Sequence, residues 1–161
     1  YRPNVYRRNW YMAQFNQSEF WTSSLGFRDR EIAIPKPPGT VRIVCIGGST
    51  TVEGPHNELT YPNLLECRLR EAFHTEAIEV VNCGVDGLAN VGEEERIQDW
   101  LALQPDLIVH YNMINAAARL IQQGTDAAWE EAKGFDRVLG TLATTHTLRG
   151  FHSKRFFPKP P

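Results

Sequence analysis

Hydrophobic and polar positions alternate between two periods across residues 41–111. The run Val41-Arg42-Ile43-Val44-Cys45-Ile46 is β-branched and almost continuous, and it stops at Gly47-Gly48. Such a run bounded by glycine predicts a strand buried on both faces, as inside a parallel sheet. A loop follows Ser49 and contains Gly54, Pro55, His56 and Asn57. The period then becomes helical, with Leu65, Leu69, Ala72 and Phe73 forming one stripe of a helix from about Thr60 to His74. Thr60 suits its N-cap, and Pro62 fits the first turn, where a missing N–H costs little. Ile78-Glu79-Val80-Val81-Asn82-Cys83 predicts a second strand, closed by Gly84 and Gly87. Asn90 and Glu93 have the spacing of a capping box, and Glu93, Glu94 and Glu95 suit the positive end of the helix dipole. Ile97, Trp100 and Leu101 make the buried face of that helix, Pro105 ends it, and 106–111 supplies a third strand.

Strand, helix, strand, helix, strand is the order of βαβ units in a parallel sheet. The fold class expected is therefore α/β, a three-layer flavodoxin-like parallel sheet with helices on both faces. Parallel strands all end on one edge, and in open α/β sheets that edge binds ligands. Ser49, Gly87 and Asn115 each fall three or four residues past a predicted strand. A hydroxyl, a glycine free to present its N–H and a carboxamide would then share one pocket. Those are a nucleophile and two donors for a developing oxyanion, the parts of an acyl-transfer site. The competing reading of the same residues is an ordinary polar turn, with Ser49 and Thr50 capping backbone amides.

The flanks differ in character. Residues 1–34 carry Tyr1, Tyr6, Trp10, Tyr11, Phe15, Phe20, Trp21 and Phe27 without a sustained period, although 10–21 could form a helical turn or two. That aromatic load argues against disorder and for an irregular wrap that packs on the domain. PKPPG at 35–39 reads as a stiff connector, which divides the chain into 1–40 and an α/β domain over 41–161. Beyond Asn115 only helical patterns are found: 116–123, a second from Thr125 to Lys133, and a third marked by Phe135, Val138, Leu139 and Leu142.

Composition narrows the function classes. A formal charge of −2 over 161 residues gives no reason to expect nucleic acid as partner. No apolar run approaches the roughly 18 residues that span a bilayer. The first residue is Tyr1 rather than Met, consistent with removal of an export signal or anchor; the compartment stays open, with extracytoplasmic and membrane-anchored locations both compatible. Cys45, Cys67 and Cys83 are too scattered for a disulfide framework or zinc site, and no metal or cofactor is expected. Phosphate binding by the glycine loop is disfavoured, because no Lys follows it at Walker spacing. Oligomeric state has no signature in the sequence.

The assembled blocks resemble the SGNH (GDSL-type) hydrolases over about Leu25 to Asn115: GFRDREI, PKPPGTVRIVCIGGSTT, VVNCGVDG and QPDLIVHYNMIN, closest to the branch with a GGST nucleophile loop. The resemblance implies a carboxylic ester hydrolase with Ser49 as nucleophile. Its oxyanion hole would comprise the Ser49 and Gly87 amides and the Asn115 side chain. It also implies a small acyl ester as substrate, such as an O-acetyl group on carbohydrate. The sequence departs from the family at Gly48, where an Asp is usual, and at Ala116, where the third block commonly has Asp. The family's final D-x-x-H block, source of base and acid, is absent, since no Asp has a His three residues later. The chain thus resembles the first part of a larger domain. His56, in the loop after Ser49, and His110, near the end of the third strand, are the substitute base candidates. A non-catalytic module that binds an acylated glycan or a partner through the same edge is the alternative.

Overall fold

Three parallel strands form the centre of the computed structural model, which describes residues 2–8, 18–88 and 94–112. Following a short antiparallel pair, β1 (Tyr6–Arg8) and β2 (Glu19–Trp21), come β3 (Val41–Gly47), β4 (Ile78–Gly84) and β5 (Leu107–Tyr111). The sheet order is β4-β3-β5. Its register sets Gly47 opposite both Gly84 and Tyr111. Between the strands lie α1 (Ser49–Val52), α2 (Tyr61–Phe73) and α3 (Ile97–Ala102). Asn90, Glu93, Asn115 and the helices expected beyond Asn115 fall outside the described residues.

Alternation along β3 divides the core into two layers, because successive side chains point to opposite faces. Ile43 and Cys45 pack with Ile78 and Val80 against Tyr61, Leu65 and Leu69 on and beside α2. Val44 and Ile46 pack with Val81 and Cys83 against Leu88, Ile97, Trp100 and Leu103 on the other face. Helices therefore cover both sides, which is the three-layer α/β architecture expected from the sequence. The buried face of α2 is narrower than its apolar stripe. Phe73 is 69% exposed and Ala72 is exposed, whereas Glu66 is buried. The reason is the Glu66 carboxylate, which takes the Val80 N–H at 2.7 Å and so fixes the helix rotation. Thr60 is the N-cap residue of α2, but its hydroxyl donates to the Asn57 carbonyl instead of capping an amide. Ahead of α3 a 3-10 turn spans Glu94–Arg96, and the helix ends before Pro105, with Gln104 at a φ of 55°.

The outer side of β4 is closed by side chains. Arg70 donates to the Ile78 carbonyl at 2.7 Å, Glu66 accepts from Val80, and Asp29 accepts from the Asn82 N–H at 2.8 Å. Arg30 bridges the two acids, 2.8 Å from Glu66 and 3.6 Å from Asp29. At the opposite, amino end of the sheet, Arg42 lies fully buried within β3. Its guanidinium meets Glu79, its neighbour in the β3–β4 register, and the carbonyls of Leu103 and Ala33. A buried charge is tolerable only when paired and hydrogen-bonded in this way.

The N-terminal segment is more regular than the aromatic wrap expected. Tyr6 to Arg8 pair with Glu19 to Trp21 as antiparallel strands, so 19–21 is not helical. Phe20, Ser18, Thr22, Ser23, Arg28 and Asp29 are buried. After Pro35, the connector turns at Gly39, whose φ of 81° favours glycine, and Lys36 pairs with Asp106 at 2.5 Å.

Candidate active site

The carboxyl ends of the three strands carry the candidate residues. β3 ends at Gly47, and α1 begins two residues later at Ser49, where the sequence had suggested a loop. A helical turn can start there because nothing projects from the strands beneath it. A Cβ on Gly47 would lie 2.2 Å from Thr51 Oγ1 and 2.2 Å from the Tyr111 carbonyl. A Cβ on Gly84 would lie 2.5 Å from the Val52 amide nitrogen. Two glycines thus let α1 rest directly on β3 and β4.

Gly48, not Ser49, is the N-cap of α1, and no side chain caps the turn. The capping role considered for Ser49 and Thr50 is therefore not the one they play. Ser49 is half-buried, and its carbonyl accepts from Glu53 N at 2.8 Å. The turn after β4 is tied to the same spot: Val85 N donates to the Gly47 carbonyl at 2.9 Å, and Leu88 N to the Val85 carbonyl at 3.1 Å. Gly87 sits in that turn at a φ of 71°, exposed, with open space where a side chain would be. Asn82 steadies the end of β4 by accepting the Gly84 N–H on its side-chain oxygen at 3.0 Å. Past β5, Asn112 is buried, while Asn115 lies beyond the described residues.

The two histidine candidates are placed differently. His56 is half-buried, seven residues beyond Ser49, and its carbonyl accepts from Leu59 N at 3.1 Å at the start of a 3-10 turn. His110 pairs in register with Ile46 and so shares the sheet face packed on Trp100, opposite the face that bears α1. Asp86 occupies the exposed turn beside Gly87, as a turn-forming residue would. Burial pushes the Cys45 thiol up to about 11, and Cys83 well above its ordinary value, which leaves both as unreactive core residues. Among the described residues no group of three or more His, Cys, Asp or Glu side chains could hold a metal ion. No helix among them is long and apolar enough to cross a membrane.

The sequence pattern did not reveal what lies behind the turn. Arg28 is fully buried there, over the ring of Phe20 with its guanidinium 5.1 Å from the ring centre. It donates to the Val52 carbonyl, to the Gly54 carbonyl at 2.8 Å and to Asn57 Oδ1 at 2.9 Å. The only hint was its position in the GFRDREI block.

Comparison with known proteins adds fold evidence. No family model and no curated protein matches the chain. Among solved structures, the chain is similar to LAE5, an alpha/beta hydrolase enzyme from the metagenome of Lake Arreo, Spain. That match has 27% identity and a TM-score of 0.53, covering 65% of this chain and 56% of that one. It is also similar to AlinE4, an SGNH-hydrolase family esterase, at 24% identity and a TM-score of 0.51, covering 66% of this chain and 55% of that one. The chain thus spans little more than half the length of these structures. Its architecture is that of the α/β and SGNH hydrolases, with Ser49 at the carboxyl end of the central strand.

Proposed function

We propose that this chain is part of a serine ester hydrolase of SGNH type that acts on small acyl esters, such as O-acetyl groups on carbohydrate. The supporting observation is the shared edge: Gly47, Gly84 and Tyr111 end in register, and the Val85–Gly47 hydrogen bond ties the Ser49 and Gly87 turns together. In this reading Ser49 Oγ attacks the ester carbonyl. The oxyanion is received by the N–H groups of Ser49 and Gly87 and by the Asn115 carboxamide. Each donor can contribute about 3–4 kcal/mol to the transition state. Collapse expels the alcohol, and water then releases the acid from the acyl-enzyme. The Ser49 proton passes to an imidazole base and from it to the departing alkoxide. His110 lies on the face opposite α1, which leaves His56 or an imidazole outside the described residues as that base.

Labelling of the protein with a fluorophosphonate, followed by mass analysis of the Ser49 peptide, tests the nucleophile. The expected result is a single adduct on Ser49, and hydrolysis of p-nitrophenyl acetate lowered about 10³-fold or more in Ser49→Ala. A folded Ser49→Ala protein that hydrolyses the ester at the original rate overturns the reading. Absence of any adduct, together with retained binding of an acetylated glycan, identifies a binding module instead.

A further inference from the structure

We propose that Arg28 is the positioning residue of the Ser49 turn, an inference that rests on Ser49 being the nucleophile. α1 has only four residues and no side-chain cap, and a helix so short does not hold itself together. Its floor is supplied by Gly47 and Gly84. Its far end is supplied by Arg28. The carbonyls at a helix C-terminus lack partners inside the helix, and a cation there also meets the negative end of the peptide dipoles. Arg28 answers both needs. Its guanidinium fork takes the Val52 carbonyl, the last of α1, and the Gly54 carbonyl at 2.8 Å. Nε donates to Asn57 Oδ1 at 2.9 Å, and Nη2 reaches the Glu19 carbonyl at 3.3 Å. Asn57 in turn donates to the Trp21 carbonyl at 2.9 Å, so β2, Arg28 and the nucleophile turn form one buried network. All of these acceptors are carbonyl oxygens arranged around a planar fork, a geometry an ammonium does not reproduce. Without the fork, residues 49–54 can lift from Gly47 and Gly84, and the Ser49 hydroxyl and N–H lose their setting relative to Gly87.

The test compares the unmodified protein with Arg28→Lys and Asn57→Ala, the latter removing the Nε acceptor together with the Asn57–Trp21 hydrogen bonds. Amide hydrogen exchange is read at Thr51, Val52 and Glu53, whose N–H groups close α1, and at 43–46 in β3. Phosphonate labelling of Ser49 is read for its maximal rate and half-saturation. Arg28→Lys should speed exchange at the three α1 amides about 10-fold or more and leave β3 unchanged. It should cut the maximal labelling rate about 100-fold with half-saturation nearly constant. Asn57→Ala should do the same at smaller amplitude, and it decides the matter if Arg28→Lys does not fold. Exchange at α1 unchanged in the folded variants, or speeded equally in β3, overturns the proposal. So does a labelling rate within about twofold of the original. If the unmodified protein takes no label, the hydrolase reading fails, while the exchange pattern still decides whether Arg28 holds the turn.

Discussion

Substituting Gly47 by Ala would test the close packing on which the site depends. The new Cβ would stand 2.2 Å from Thr51 Oγ1 and 2.2 Å from the Tyr111 carbonyl oxygen. Ordinary contact needs over an ångström more on each side. The Thr51 hydroxyl could rotate, although the residue is fully buried and its Cβ would still be 3.1 Å away. Tyr111 cannot rotate away, because the clashing atom belongs to the backbone of the paired strand. The last step of the β3–β5 ladder must open, or β3 must sink. Overpacking of this kind costs about 1–3 kcal/mol, and a lost ladder hydrogen bond about 1 kcal/mol more. A total of about 3 kcal/mol corresponds to a fall in Tm of about 6–12 °C for a domain near this size. Gly39→Ala is the control. Gly39 has a positive φ, 81°, which Gly47 does not, but nothing lies within 4 Å of its missing Cβ, so only backbone strain of about 1–2 kcal/mol applies. Thermal and urea unfolding followed by circular dichroism give the comparison. A Gly47→Ala protein that loses no more stability than Gly39→Ala would refute the argument that α1 rests on bare backbone.

Two further outcomes follow from buried groups. Burial pushes the Asp29 carboxyl up to about 6 from 3.8, against the opposing pull of the Asn82 and Arg30 amides and the Arg30 charge. The native state thus holds this proton more tightly than the unfolded chain. The resulting stabilisation is full below about pH 3.8 and is lost as pH rises through about 6. At about 1.4 kcal/mol per pH unit this amounts to about 3 kcal/mol. Relative to Asp29→Asn, which cannot titrate, the native protein should lose about that much between pH 4 and 7 in urea titrations. A difference constant across that range refutes the assignment. Trp100→Ala should cost about 3–5 kcal/mol in the same assay, because Trp100 fills the layer between α3 and the sheet with no exposed surface. A loss below about 1 kcal/mol would show that this layer is not packed as described.

The strands were legible because period and glycine punctuation coincide. VRIVCI stops where Gly47 must let α1 approach, and IEVVNC stops where Gly84 does the same. The division of β3 into two packed faces follows from alternation alone. Charged residues that behave as core were less visible. Arg42 interrupts an apolar run, and nothing local announces that Glu79 lies opposite it in the next strand. Phe73 is exposed for a related reason: a helical stripe marks apolar residues, whereas α2 is held by the Glu66 carboxylate on a strand amide. The β1–β2 pair was hidden because three-residue strands are too short to show a period. Around the site, the hydroxyl and the turn glycine could be read from spacing. Arg28 could not, since three of its acceptors are backbone carbonyls 9 to 26 residues away, which any sequence supplies, and the fourth is a lone Asn57 side chain 29 residues on.

The side-chain seal along β4 protects that edge of the sheet. Ordinarily an uncovered strand offers a template on which another chain can assemble. Here a newcomer beside β4 would first have to evict two acids and strip Arg30 of both. A strand that joined there would also remove the carboxylate that fixes the rotation of α2, so the seal and the packing of the Tyr61 layer stand or fall together.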